Sequence, residues 1–200
     1  MKIYDISQEV FSCEVYPGDP APGKTILSSM ENGDVYNLTA FSMCAHNGTH
    51  MDAPYHFIKD GKRVDDVDLD SFVGKAYVAE HQGVLSDADA REIMHKAKEN
   101  DLEAAKRILI KGEAEVSADA ARVFASEGIL LLGNESQTVG PVDKPMEVHL
   151  ILLSSDIVLL EGIRLSEVEE GVYFLNAAPL NLSGSDGSPC RAILISGIDE

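Results

Sequence analysis

The sequence predicts an α/β fold built on a mixed, barrel-like sheet with flanking helices, and three observations carry that expectation. Stretches rich in β-branched and aromatic residues recur along the chain between turn formers, which is how strands read. They alternate with helical patterns only in the middle, whereas the first and last quarters are mainly strand, so a doubly wound sheet fits badly and a mixed sheet fits better. The 200 residues, 44% of them hydrophobic, suffice for one core, and no Gly/Ser-rich or Pro-rich linker divides them, so a single domain over 1–200 is expected.

Taken in order, strands are expected at Lys2 to Ile6, Val35 to Cys44 and Lys75 to Glu80. Ser86 then opens a polar helical pattern through Lys98, as an N-cap with Asp89 in the capping-box position. Arg107 to Ile110 reads as strand, Ser117 to Glu127 as a helix closed by Gly128, and Ile129 to Leu132 as strand again. A third helix is expected over Pro145 to Leu153, followed by strands at Ile157 to Leu160, Val172 to Asn176 and Cys190 to Ile195. There is no internal repeat and no low-complexity segment.

The chemistry concentrates in Ala45-His46-Asn47-Gly48-Thr49-His50-Met51-Asp52-Ala53-Pro54-Tyr55-His56-Phe57, which sets three imidazoles and a carboxylate within eleven positions. Neutral imidazole nitrogens and anionic oxygens suit a borderline divalent ion such as Zn²⁺ or Mn²⁺. His46 and His50 have helical spacing, but Gly48, Thr49 and Pro54 argue against a helix. An extended chain instead sends residues 46, 48, 50 and 52 to one side, so that His46, His50 and Asp52 converge around the space Gly48 leaves. Pro54 ends that run and lets His56 approach without becoming a ligand.

Composition excludes several classes. A net charge of −18 repels nucleic-acid phosphates and anionic membrane surfaces. The acidic groups of Asp60 to Asp70 and Asp87 to Glu115 read as solvated surface, and Asp65, Asp66, Asp68 and Asp70 lack the glycine and glutamate register of a calcium loop. The amino terminus has no apolar core of a secretory signal, and no apolar run approaches the roughly 18 residues of a membrane span. Cys13, Cys44 and Cys190 are odd in number and widely spaced, which fits reduced thiols and a cytoplasmic protein. Cys44 reads as a buried apolar side chain, and His81 and His95 read as solvent-facing.

The histidine-rich segment resembles the signature of the cyclase-like metal-dependent hydrolase family, which includes bacterial kynurenine formamidases and isatin hydrolases. That pattern reads H-x-G-T-H-x-D-x-P-x-H-[FY], and His46, Gly48, Thr49, His50, Asp52, Pro54, His56 and Phe57 fill every fixed position. The resemblance implies the family's swivelling β/β/α arrangement. It implies that His149 and Glu161 complete the metal site, and that Tyr16, within Tyr16-Pro17-Gly18-Asp19-Pro20, stands where the family has a pocket tryptophan. Gly133-Asn134-Glu135-Ser136 is imperfectly similar to a family turn of the type G-x-[DE]-x-x-S.

The same resemblance implies a metal-dependent hydrolase of a small C–N amide bond, foremost an arylformamidase converting N-formyl-L-kynurenine to L-kynurenine and formate in tryptophan catabolism. One or two divalent ions, Zn²⁺ first and Mn²⁺ second, would lower the pKa of bound water from about 15.7 to about 7. His56 would carry the proton to the leaving amine, work suited to an imidazole of ordinary pKa about 6.5. Two alternatives remain open: hydrolysis of a cyclic amide such as isatin, and a metal-binding regulatory protein without turnover. The expected partner is a small molecule, with neither nucleic acid nor membrane, and the expected assembly is a homodimer or homotetramer.

Overall fold

The computed structural model describes residues 1–197. In chain order the elements are β1 (Lys2–Asp5), β2 (Gly23–Ser28), β3 (Leu38–Ser42), β4 (His50–Asp52), β5 (Val73–Glu80), β6 (Gly83–Leu85) and α1 (Asp87–Asn100). They continue with β7 (Arg107–Lys111), β8 (Ala114–Val116), α2 (Ala118–Glu127), β9 (Leu131–Asn134) and α3 (Met146–Leu153). The last are β10 (Val158–Glu161), β11 (Gly171–Asn176), β12 (Gly187–Pro189) and β13 (Ile193–Ser196). Nine strands form one sheet in the order β1-β13-β11-β5-β7-β9-β10-β4-β12, curled into a half-barrel, so the mixed, barrel-like α/β fold is what the chain adopts. β5, β7, β9 and β10 run parallel, and every other pairing in the sheet is antiparallel.

Strand alternation divides the apolar side chains between two cores. Tyr77 and Ala79 of β5 with Ile108 and Ile110 of β7 face the helices, while Ala76, Val78 and Leu109 face the other side with Met51, Phe72 and Leu160. The helices form where expected. Ser86 caps α1 in a reciprocal box with Asp89, and Ala90, Ile93, Met94 and Ala97 make its buried stripe. Ser117 caps α2 by accepting from the Ala120 N–H at 3.1 Å, and Gly128, left-handed at φ 66°, ends it.

The strands that sequence reading passes over are the short or polar ones. β2 pairs in a separate, largely exposed hairpin with β3, which lies inside the strand expected over Val35 to Cys44, and β6 pairs with β8, each only three residues long. β12, Gly-Ser-Pro, carries the weakest strand signal and sits at the sheet edge, where proline is tolerated. The aspartates at 65 and 66 serve local backbone: Asp65 accepts from the Gly184 N–H at 2.9 Å and Asp66 from the Arg63 N–H at 3.2 Å. His95 is exposed as expected, but His81 is half-buried, with its Nε2 shielded from solvent, because it follows β5 into the turn against β7.

Leu109 is fully buried on the side of the sheet away from the helices. Leu109→Ala is expected to cost about 2–5 kcal/mol, since the surrounding strands cannot collapse into the space, and urea denaturation measures it.

Candidate metal centre

The expected extended run over His46–Asp52 is only partly present. The strand covers His50–Asp52, and Gly48, left-handed at φ 64°, turns the chain just before it. A Cβ at Gly48 would lie 2.9 Å from the Cys13 Cβ, so the turn requires glycine on both counts. His46 therefore reaches the site from a turn rather than from the face of the strand, although the convergence with His50 and Asp52 is retained.

The strand pairings bring in the remaining residues. β4 lies antiparallel to β10 with His50 opposite Glu161, which sets those two side chains on one face. Asp52, two residues from His50, shares that face. His149 projects from α3, where its ring packs against Phe57 with centroids 4.8 Å apart. His50, Asp52, His149 and Glu161 are each at most 3% exposed.

Hydrogen bonds orient both buried imidazoles. Nδ1 of His50 donates to the Gly48 carbonyl at 3.0 Å, and Nδ1 of His149 donates to the Pro145 carbonyl at 2.9 Å. In each neutral ring Nε2 is then the unprotonated nitrogen. Those nitrogens face carboxylate oxygens: His50 Nε2 lies 3.3 Å from Glu161 Oε2 and 3.5 Å from Asp52 Oδ1, and His149 Nε2 lies 3.3 Å from Glu161 Oε1 and 3.6 Å from Asp52 Oδ2. Lone pairs facing anionic oxygens repel unless a cation or a proton lies between them. Among the described residues the buried Oδ2 of Asp52 has no hydrogen-bond partner. Donor set and orphaned oxygen together fit a divalent ion. Asp52 belongs to two groups whose donor atoms lie within 4.8 Å of one another, His46-His50-Asp52 and Asp52-His149-Glu161, so one carboxylate can serve two ions.

Without an ion, protons take that place. Burial opposes a charge on His149, but the acceptors Asp52 and Glu161 outweigh it and raise its pKa to about 10. Burial likewise opposes a charge on His46, where Asp186 and Asp52 raise the pKa to about 11. Burial disfavours the Asp52 carboxylate, yet the imidazoles of His149 and His46 beside it hold its pKa well below the usual range.

A cavity of about 640 Å³ opens onto this centre and is lined by His46, His56, Phe57, Tyr16, Asp143 and Lys144 among others. The Tyr16 hydroxyl donates to the Val142 carbonyl at 3.0 Å, which holds the ring in the wall. Cys44 is half-buried in the same wall, 3.9 Å from Asp19 Oδ2, and stands in none of the candidate ligand groups, so it is a cavity-lining thiol rather than the buried apolar side chain expected. His56 sits beside the centre with its ring 4.1 Å from that of His46.

Asp186 is the residue that sequence reading missed. Its Oδ2 lies 2.9 Å from His46 Nε2 and 3.2 Å from His56 Nδ1. It falls in Ser183-Gly184-Ser185-Asp186-Gly187, which reads as a turn, and its closeness to the histidines arises only because β12 pairs with β4.

Residues 4–141 match the family described as "Putative cyclase". The kynurenine formamidase of Erythrobacter litoralis is 32% identical, over 96% of this chain and 93% of that protein. A solved structure described as a potential metal-dependent hydrolase with cyclase activity superposes with a TM-score of 0.81 at 26% identity, covering 99% of both chains. Isatin hydrolase A from Labrenzia aggregata superposes with a TM-score of 0.79 at 21% identity, over 96% of this chain and 93% of that one, which shows a shared fold.

The raised histidines define a pH dependence. Relative to an unfolded value of about 6.5, the contribution of His46 and His149 is complete below that pH and is lost as pH rises toward 10 and 11. With chelator present, the melting temperature is expected to fall between pH 7 and pH 10, and Zn²⁺ is expected to restore it. A chelated protein whose melting temperature stays level over that range contradicts the coupling.

Proposed function

This chain belongs to the cyclase-like metal-dependent hydrolase family, and from that premise we propose that it is an arylformamidase hydrolysing N-formyl-L-kynurenine to L-kynurenine and formate. The observation that carries the reading is the buried His50-Asp52-His149-Glu161 cluster at the floor of a cavity with His56 on its wall. Divalent ions held there would supply Lewis acidity toward a formyl carbonyl and would lower the pKa of water enough to make hydroxide available near neutral pH. Zn²⁺ is the first choice for this imidazole and carboxylate set, with Mn²⁺ as the second.

The protein's own groups do the rest. His46, His50, Asp52, His149 and Glu161 would hold the ions, and Asp52 belongs to both groups of donors. His56, whose Nδ1 is engaged by Asp186, keeps Nε2 to carry the proton to the departing aromatic amine. Tyr16 offers a ring face to the substrate's aromatic ring. Among the described residues Lys144 is the one lysine or arginine lining the cavity, and Asp143 and Asp19 line it too. Groups of both signs at the cavity suit the zwitterionic amino-acid end of formylkynurenine better than neutral isatin, whose hydrolysis is the second reading.

Three free thiols support a reducing, cytoplasmic setting, and none of the helices described is long and apolar enough to cross a membrane. Exposed Ile26, Leu27 and Phe41 on the β2–β3 hairpin support assembly as a dimer or tetramer.

His56→Ala is expected to retain its metal and lose turnover by roughly 10²–10⁴-fold. Metal analysis beside steady-state kinetics measures this, and a variant that sheds metal with its activity contradicts the role. Tyr16→Ala and Lys144→Met are both expected to raise KM for formylkynurenine, while Lys144→Met leaves KM for formanilide unchanged. Equal effects of Lys144→Met on both substrates, or a preference of the wild type for isatin, would move the assignment to the second reading.

A further inference from the structure

Asp186 lies outside the residues that the sequence motif supplies, yet it touches two of them through one oxygen. Oδ2 lies 2.9 Å from His46 Nε2 and 3.2 Å from His56 Nδ1, and the two imidazoles stack at 4.1 Å with a 32° tilt. A carboxylate oxygen only accepts, so both nitrogens must be donors. Without an ion, His46 Nδ1 donates in the same way to Asp52 at 2.8 Å, and that is the nitrogen that would give up its proton to become a ligand; His56 is left with Nε2, which no hydrogen bond among the described residues engages.

We propose that Asp186 is the positioning residue that couples the metal ligand to the proton carrier, fixing His46 to present Nδ1 to an ion and His56 to present Nε2 to the travelling proton. The inference rests on the reading of His46 as a ligand and His56 as the proton carrier. A carboxylate behind a metal-bound histidine is a recurring device, because it sets the tautomer and the ring plane together. Here one carboxylate serves a ligand and an acid–base group at once.

The backbone is built around this contact. The Ala53 N–H donates to the Asp186 carbonyl at 2.9 Å, which ties Asp186 to the chain between Asp52 and Pro54. Gly187 lies opposite Asp52 in the β12–β4 pairing, and a Cβ there would fall 2.5 Å from His46 Cε1 and 2.8 Å from the Met51 carbonyl. The His46 ring thus approaches this backbone closely enough that any side chain at 187 would collide with it. The Asp186 side chain is 43% exposed, so water screens its charge and its effect on the two rings is chiefly orientational.

Asp186→Asn, Asp186→Ala and Asp186→Glu test the assignment, each read three ways. Zinc affinity is measured against a competing chelator, kinetics on formylkynurenine separate kcat from KM, and long-range ¹H–¹⁵N correlation spectra of the zinc-loaded protein report which imidazole nitrogen carries hydrogen. The wild type is expected to show His46 protonated at Nε2 and His56 at Nδ1. Asp186→Ala is expected to weaken zinc binding and kcat each by about 10–100-fold, with KM within about twofold and the histidine signals redistributed between tautomers. Asp186→Glu is expected to recover more of both than Asp186→Asn does.

Unchanged affinity, kcat and tautomers in Asp186→Ala would overturn the proposal. So would loss of one whole equivalent of zinc, which would make Asp186 a ligand. Should Asp186→Ala fail to fold by circular dichroism, the isosteric Asp186→Asn decides on the same readouts. If His56→Ala turns over at the wild-type rate, the proton-carrier reading fails by itself, and that result also sinks the coupling proposed here. A His46 signal still locked at Nε2 would then show what remains of the Asp186 contact.

Discussion

The structure depends on keeping two carboxylates, Asp52 and Glu161, out of water beside two imidazole nitrogens that have no proton to offer in their neutral form. Removing a carboxylate from water costs several kcal/mol even after relaxation, so the protein must supply positive charge within a few ångströms. Glu161 meets part of the demand with the Val139 N–H, which donates to Oε1 at 2.8 Å. Asp52 keeps one oxygen without a hydrogen-bond partner among the described residues. The interior is therefore incomplete without cations, and protons on His46 and His149 are the substitute when ions are removed.

The neighbouring backbone holds the arrangement against that repulsion. Gly162 follows Glu161 with φ 69°, and a Cβ there would lie 2.4 Å from the Gly48 carbonyl, so the turns before β4 and after β10 touch backbone to backbone. The Gly162 carbonyl accepts from Thr49 Oγ1 and Gln8 Nε2, both at 2.8 Å, which fastens the same two turns to the amino-terminal segment. A shift of either turn would separate His50 from Glu161. Rigidity at this point serves the chemistry, because a metal site tolerates displacements of only about 0.2 Å in its ligand distances.

How much of this was legible in the sequence differs by residue. His46, His50, Asp52 and His56 were legible because they sit in one short segment whose glycine and proline punctuate it, and the three α-helices were legible from caps and apolar stripes. The geometry around Gly48 was not, since an alternating pattern and a left-handed turn place His46 near the same point by different routes. Asp186 was illegible for a different reason: it reaches the histidines through a strand of three residues, Gly-Ser-Pro, that lacks the β-branched side chains by which strands are read. Local pattern records what a segment does alone, and pairing across 130 residues leaves no local trace.

The twelve-residue separation of His149 and Glu161 follows from topology. β9 and β10 are parallel neighbours, so the chain leaving β9 at its carboxyl end must return to the start of β10, and α3 is that return. The first turns of α3 consequently lie at the carboxyl ends of the strands, the end at which Glu161 closes β10. His149, on the first turn and a half of the helix, and Glu161, at the last residue of the strand, are brought together by a single helix–strand unit. On its other side β10 pairs with β4 in the opposite sense, and that antiparallel contact sets His50 beside Glu161 at this end, with Asp52 two residues further in beside Leu159. The site thus lies where the sheet changes from parallel to antiparallel, a place where loops from both kinds of connection converge and a crevice for a small ligand is left open.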